Sequence, residues 1–336
     1  MSTKVKITPD LYFEEMRKVS QATKPVILKI ISSINENYHE IGKEYSYYFN
    51  KRIESKKLLL RPFLFKQFLD LLNVNWKDHL EMIALVEIVN ISTYQSNLAF
   101  DGKDGFKTTQ LRNNQVIASI FSKIRIYESL NTLNIYDEKT KSKFSSIITK
   151  AFEQLYYGQY LDINELVFEN KTLLNNENLY LKTYTNRCTM LGSSLIEMIA
   201  LLAITISKNE NSTVNQLLKD FSILFGKAGQ VVNDLGDIAE NGKSYTENQF
   251  ADIENERLTL PLRFAISEVG KLSKDCIKDF FNNTNNIIKT KEYCSNFIKN
   301  DVIEINSIFA TLTSLGYETE MLEVTSKLLT KSKFIS

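Results

Sequence analysis

Trp76-Lys-Asp-His79-Leu-Glu-Met-Ile-Ala-Leu-Val-Glu87-Ile-Val-Asn90-Ile-Ser92-Thr93-Tyr-Gln-Ser-Asn97-Leu98-Ala-Phe100 is apolar on most of its sides. A helix apolar on nearly every face must be buried, so this stretch predicts a central helix. Working outward, a helix begins near Leu60 and carries Phe63, Leu64, Phe68, Leu71 and Leu72 at helical spacing. Thr8-Pro9-Asp10 places a cap, a proline at the first helical position and an acid in the first turn, ahead of Leu11, Met16 and Val19. Pro25 is read as opening a second segment, with Val26, Ile30 and Ile34 four apart. On the other side, periodicity predicts helices over 113–134, 138–158, 177–206, 212–240, 258–270, 273–289, 292–315 and 318–333. Loops are expected at Asn- and Lys-rich stretches such as 175–178 and 282–286. No strand-like alternation of useful length appears. With 11 Gly and 4 Pro, the chain also lacks the turn residues an all-β protein needs. The expectation is an all-α fold, a single helical bundle over residues 1–336.

Composition removes several function classes. Lys+Arg is 41 against Asp+Glu 40, a net charge of +1, so no bulk attraction to nucleic acid or an acidic membrane follows. The two histidines, His39 and His79, leave no basis for a Ser-His-Asp triad or a His-rich metal centre. Cys188, Cys276 and Cys294 form no CxxC pair, and their odd number argues against a disulfide framework. They read as reduced thiols. With no apolar run behind Met1, no signal peptide is expected, and the cytoplasm is the expected location. The apolar stretch Met190–Ile206 carries Glu197 and is read as a buried helix, not a transmembrane segment.

The chemistry-bearing stretch is Gly226-Lys-Ala-Gly229-Gln230-Val-Val-Asn233-Asp234-Leu-Gly236-Asp237. Each glycine inside a helix costs about 1 kcal/mol relative to alanine, and small residues admit a neighbouring backbone or a ligand. Asn233 and Asp237, four apart, share a helix face with Asp234 beside them. Three oxygen donors aimed one way suit Mg²⁺, which takes carboxylates together with substrate phosphates. A solvated polar helix end is the competing reading.

Around this cluster stand Gly158-Gln159-Tyr-Leu-Asp162, Tyr180 and Arg187, Gly242-Lys243, Asp252-Ile253 … Arg257-Leu-Thr259-Leu-Pro261, and upstream Arg61-Pro62 and Glu87. This order resembles the trans-isoprenyl diphosphate synthase (polyprenyl synthetase) family, over roughly residues 55–265. The resemblance implies a helical fold around a deep apolar pocket, with Mg²⁺ holding an allylic prenyl diphosphate between two aspartate-rich motifs. It implies catalytic roles for Asp234, Asp237, Arg187 and Lys243. It implies substrate contacts from Arg61, Gln159, Gln230, Arg257, Asn90 and Asn97, and metal ligation by Asn233, Asp234, Asp237 and Asp101. A homodimer is implied, or a heterodimer with an intact prenyl synthase.

The departures are specific. The family's first aspartate-rich motif falls on Asn97-Leu98-Ala-Phe-Asp101, where only Asp101 keeps its type, and leucine ligates no metal. The arginines that normally follow fall on Asp104 and Gly105, with Lys107 the nearest cation. On the homoallylic side Arg61 is kept, Lys57-Leu58 replaces a glycine-lysine, and Asn90 replaces a histidine. Arg187 and Arg257 stand where lysines are usual; arginine keeps charge but not point-charge geometry. In the second motif of class I terpene cyclases, which this cluster also resembles, a glutamate belongs at position 241, where Asn241 stands. Small Ser92 and Thr93 are read as deepening a pocket or as simple helix packing. Tyr45, Tyr47, Tyr48 and Phe49 are read as packing. Two functions stay open: an enzyme that ionises an allylic diphosphate with Mg²⁺ and then cyclises or transfers the prenyl group, or a non-catalytic subunit that tunes an active prenyl synthase. The retained cations and carboxylates favour the enzyme.

Overall fold

The protein, seen in a computed structural model, is described at residues 7–35, 50, 53, 58–102, 108–238 and 250–331. Its helices are α1 (Pro9–Asn35), α2 (Leu60–Leu71), α3 (Leu80–Asp101), α4 (Thr109–Asn131), α5 (Glu138–Tyr160), α6 (Lys171–Asn175), α7 (Glu177–Cys188), α8 (Ser194–Ser207), α9 (Ser212–Gly236), α10 (Ala251–Glu254), α11 (Leu260–Val269), α12 (Lys274–Phe281), α13 (Thr284–Ser314) and α14 (Glu320–Lys331). Trp76–His79 forms a 3₁₀ turn capped by Asn75, whose side chain accepts from the Lys77 amide. Leu161–Glu165 and Thr189–Ser193 are π turns that continue α5 and α7. Among the described residues the only extended pairing is an isolated antiparallel bridge between Val167 and Arg257. The all-α expectation holds.

The chain divides into two compact units. The first comprises residues 1–150, 198–218 and 312–324, the second 151–197, 219–311 and 325–336. In the first, α3 packs on α1, α2 and α4. From Met82 to Thr93 its side chains are buried without interruption, as an all-round apolar helix requires. It ends at Gly102, whose φ of +64° makes the left-handed C-cap that glycine adopts without Cβ strain; the Arg112 guanidinium covers the place a Cβ would take. The seam between α3 and α4 is polar. Ser96 and Ser119 share a hydrogen bond, Lys123 Nζ donates to Ser119 Oγ at 2.6 Å, and Gln95 donates to Gln115.

Pro25 does not open a second helix. It lies inside α1, which runs unbroken for 27 residues. A proline in a helix interior costs about 3 kcal/mol through its missing N–H and its ring. Val19, Ile27 and Ile31, all fully buried, outweigh that at roughly 1.5–3 kcal/mol each. The other end of the expectation holds: Thr8 Oγ1 accepts from the Leu11 amide as the cap of α1.

The second unit is built around Tyr180, Tyr184, Cys188, Val231, Leu235, Ile253, Leu258, Leu260, Ile277, Cys294 and Ile298. Helix α9 stops at Gly236, short of the expected 240 (239–249 lie outside the described residues), because glycine gains least by continuing a helix. The break expected between 289 and 292 falls at Asn282-Asn283 instead. There Asn283 Oδ1 accepts from the Asn285 amide at the start of α13, and Asn286 Nδ2 donates to the Phe280 carbonyl in the last turn of α12, so asparagines expected to form a loop satisfy both helix ends. Glu177–Ser207 forms one 31-residue helical run, long and apolar enough by composition to cross a membrane, with half of its most apolar window buried inside the protein. Met198, Ile199, Ala200, Leu202 and Ala203 lie among its buried residues, as the reading of a buried helix expected.

A buried cluster of guanidinium and carboxylate groups

Helix α7 presents Tyr180, Tyr184, Arg187 and Cys188 on one face, at helical spacings of four, three and one, and all four are buried. The π turn after α5 carries Asp162 inward. The Val167–Arg257 bridge, with Phe168 N donating to Glu256 O at 2.9 Å and Leu258 N to Leu166 O at 2.7 Å, brings Arg257 to that turn. Helix α9 delivers Gln230 and Asp234.

The side chains meet as a network. Arg187 Nε donates to Asp162 Oδ1 at 2.8 Å, and Arg187 Nη1 to Asp234 Oδ2 at 2.6 Å. Tyr184 OH donates to the same Asp234 Oδ2 at 2.6 Å, and Gln230 Nε2 to Asp234 Oδ1 at 2.9 Å. Arg257 Nη1 donates to the carbonyls of Asp162 and Ile163, both at 3.3 Å, and its Nε stands 3.7 Å from Asp162 Oδ2. Tyr180 stacks on Tyr184, and Tyr184 lies beneath the Arg187 guanidinium. Burial opposes charge on Arg187, but Asp162 and then Asp234 overcome it and hold its pKa well above the usual guanidinium value. Burial, followed by the neighbouring Asp234 charge, pushes the Tyr184 phenol far up, so it serves as a donor only.

The close approach of backbones that makes this possible is glycine's work. A Cβ on Gly192, in the second π turn, would lie 2.1 Å from the Gly226 carbonyl oxygen, and one on Gly226 would lie 2.4 Å from Ser193 Cα. Of the two uses open to small residues in this stretch, Gly226 admits a neighbouring backbone.

The three oxygen donors of the 233–237 stretch are not aimed one way. Asn233 is exposed and Asp237 half-buried, whereas Asp234 is 2% exposed and turned inward onto Arg187. Consecutive helix positions point about 100° apart, which carries Asp234 into the interior while Asn233 stays at the surface. Among the described residues no three His, Cys, Asp or Glu side chains converge as a metal site. One carboxylate and one amide, Asp237 and Asn233, fit a Mg²⁺ that arrives with a diphosphate, since Mg²⁺ commonly binds through one or two carboxylates plus substrate phosphates.

The remaining expected site residues fall as follows. Gln159 is buried, and its Nε2 has no acceptor among the described residues; the same holds for Thr259 Oγ1. Gly158 beside it packs on Met190 and Leu191. In the first unit, Arg61 is half-buried on α2, and Asn90 Nδ2 donates to Glu87 Oε1 at 3.3 Å within the core. Asn97 and Asp101 are half-buried near the end of α3, and Leu98 between them is 2% exposed. Ser92 and Thr93 turn their hydroxyls back onto carbonyls of their own helix. Lys57, Lys107, Asn241, Lys243 and Tyr45–Phe49 lie outside the described residues. Tyr184 escaped sequence reasoning. Its signal was the shared face with Tyr180, Arg187 and Cys188.

An all-helical chain whose second aspartate motif, GQxxD turn and RxTxP segment lie together in one unit has the layout of a prenyl-chain synthase. Residues 107–298 match the polyprenyl synthetase family, and the chain belongs to that family. No curated relative matches the sequence. Solved structures do. A geranylgeranyl pyrophosphate synthetase from the archaeon Geoglobus acetivorans superposes with a TM-score of 0.71 at 16% identity, covering 96% of this chain and all of that one. A polyprenyl synthase from Caulobacter crescentus, complexed with calcium and isoprenyl diphosphate, gives 0.69 at 15% identity over 98% and 100%. A heptaprenyl diphosphate synthase from Staphylococcus aureus gives 0.66 at 14% over 97% and 98%. The fold is the one these trans-prenyl diphosphate synthases share.

Proposed function

We propose that this protein is an isoprenoid-pathway enzyme that ionises an allylic prenyl diphosphate with Mg²⁺ and cyclises the prenyl group or transfers it to an acceptor other than isopentenyl diphosphate. Family membership across 107–298, together with the exposed Asn233 and half-buried Asp237 at and just past the end of α9, carries this reading. When bound, Mg²⁺ supplies charge neutralisation to a leaving diphosphate. Asn233 and Asp237 are the residues that would hold it. The buried cluster holds the last turn of α9 in place from behind, through Gln230 and Asp234. Extension by isopentenyl diphosphate is excluded from the reading because a second diphosphate needs several cations, and of the family's positions only Arg61 keeps its type. Ile117, Ile120 and Ile124, all exposed on one face of α4, support self-association.

Incubation of the pure protein with C10, C15 and C20 diphosphates, with and without isopentenyl diphosphate, tests the reading. Mg²⁺-dependent pyrophosphate release without chain lengthening is expected. Clean lengthening overturns it in favour of an ordinary synthase.

The buried Leu98 within the first motif supports a second reading, a non-catalytic subunit that binds and tunes an active prenyl synthase. Absence of pyrophosphate release from every allylic diphosphate, together with a changed product length when the protein is mixed with an intact synthase, selects it.

A further inference from the structure

Asp162 and Asp234 come from different helices and are buried together, and one guanidinium spans them. Its Nε takes one carboxylate and its Nη1 the other, with both side chains nearly sealed from solvent. Two carboxylates buried together need a proton or a cation to offset their charge, and here the Arg187 guanidinium supplies the cation. Tyr184 and Gln230 occupy two further lone pairs of Asp234, whose side chain is sealed from solvent. Arg257 covers the backbone on the far side of Asp162. The Asp234 carboxylate thus receives three donors, and no coordination position on it faces solvent.

We infer that the Arg187 guanidinium does at the Asp162–Asp234 pair the work of a divalent cation, so that this carboxylate pair takes no metal in the intact protein. The planar fork of arginine suits the task. It reaches both carboxylates in fixed directions, which the single ammonium of lysine does not. Asp234 then belongs to the scaffold behind Asn233 and Asp237, and Arg187 is a positioning residue with no contact to a diphosphate. This built-in cation holds the pair whether or not the protein turns over an allylic substrate.

The test is thermal unfolding of the full chain in chelator and in millimolar Mg²⁺ or Mn²⁺, for the wild type, Arg187→Met, and Arg187→Met with Asp234→Asn. The wild-type melting temperature is expected to be the same with and without divalent metal. Arg187→Met is expected to melt lower in chelator and to regain several degrees in Mg²⁺ or Mn²⁺. Asp234→Asn in addition should abolish that metal response. If Arg187→Met does not fold in chelator, its refolding yield with Mn²⁺ is the readout, and recovery of folded protein supports the inference. A wild type stabilised by metal alone, with the stabilisation lost in Asp234→Asn, overturns it. So does an Arg187→Met protein that gains nothing from either metal.

Discussion

Replacing Gly226 with alanine tests the backbone crossing beneath the ion cluster. Helix propensity alone favours the change by about 1 kcal/mol. The added Cβ would lie 2.4 Å from Ser193 Cα and 2.5 Å from the Gly192 carbonyl oxygen, against an ordinary contact distance beginning at 3.4 Å. Both obstacles are backbone, so no rotamer relieves them, and α9 must part from the π turn by about 1 Å, well beyond the tolerance of a close-packed interior. Overpacking of this kind costs roughly 1–3 kcal/mol, and rigid neighbours place it at the upper end. Net of propensity, Gly226→Ala should destabilise by about 1–2 kcal/mol and lower Tm by roughly 1–4 °C. Gly192→Ala should act similarly, since its Cβ meets the Gly226 oxygen at 2.1 Å. The double variant should cost less than the sum, because one separation relieves both clashes. Gly270→Ala is the control: nothing lies within 4 Å of its Cβ, and its φ of +66° predicts only the backbone penalty of about 1–2 kcal/mol. Urea and thermal denaturation of the four variants decide the matter. A Gly226→Ala protein as stable as the wild type, or single effects that simply add, refutes the crossing.

Tyr184→Phe removes a donor from buried Asp234 without changing packing, so the denaturant midpoint should fall by an amount equivalent to about 1.5–3 kcal/mol at unchanged m. Pro25→Ala should raise stability by up to about 3 kcal/mol, since Pro25 is exposed and its ring only weakens α1; an unchanged midpoint would show that α1 bends there at no cost. His79 has its pKa lowered by burial, partly offset by Asp78, while its Nδ1 lies 2.7 Å from the Tyr136 hydroxyl. A depressed folded pKa makes its contribution fully present above the ordinary value of 6.5 and lost as pH falls below it. Tm should therefore decline on acidification below about 6.5, and His79→Gln should flatten that slope; an identical slope in the variant removes His79 as its source.

The helices were legible wherever local periodicity and burial agree. Residues 138–158 and 318–333 were read within a few residues of α5 and α14. The reading failed where tertiary packing overrode a local signal, as at Pro25, and where asparagines acted as caps, as at 283 and 286. The site was legible as a set of motifs but not as a direction. Spacing puts Asn233 and Asp237 on one face, whereas the step of about 100° from 233 to 234 points Asp234 inward; the oxygen donors on all three suggested a common aim. That Arg187 serves the interior depends on Asp162 and Asp234 flanking it in space, which no one-dimensional spacing states.

The Val167–Arg257 bridge has a kinetic consequence. Its two backbone hydrogen bonds join the turn that carries Asp162 to a segment synthesised several seconds later. Until residues 256–258 have emerged, Asp162 lacks the Arg257 guanidinium over its carbonyl, and the apolar wall of Leu258 and Leu260 is missing. A pairing at such sequence separation is slow, because loop closure must be met before any contact rewards it. The charged cluster of the second unit is therefore assembled late. A nascent chain that stalls before Arg257 leaves the Asp162 and Ile163 carbonyls without the guanidinium that covers them in the finished protein.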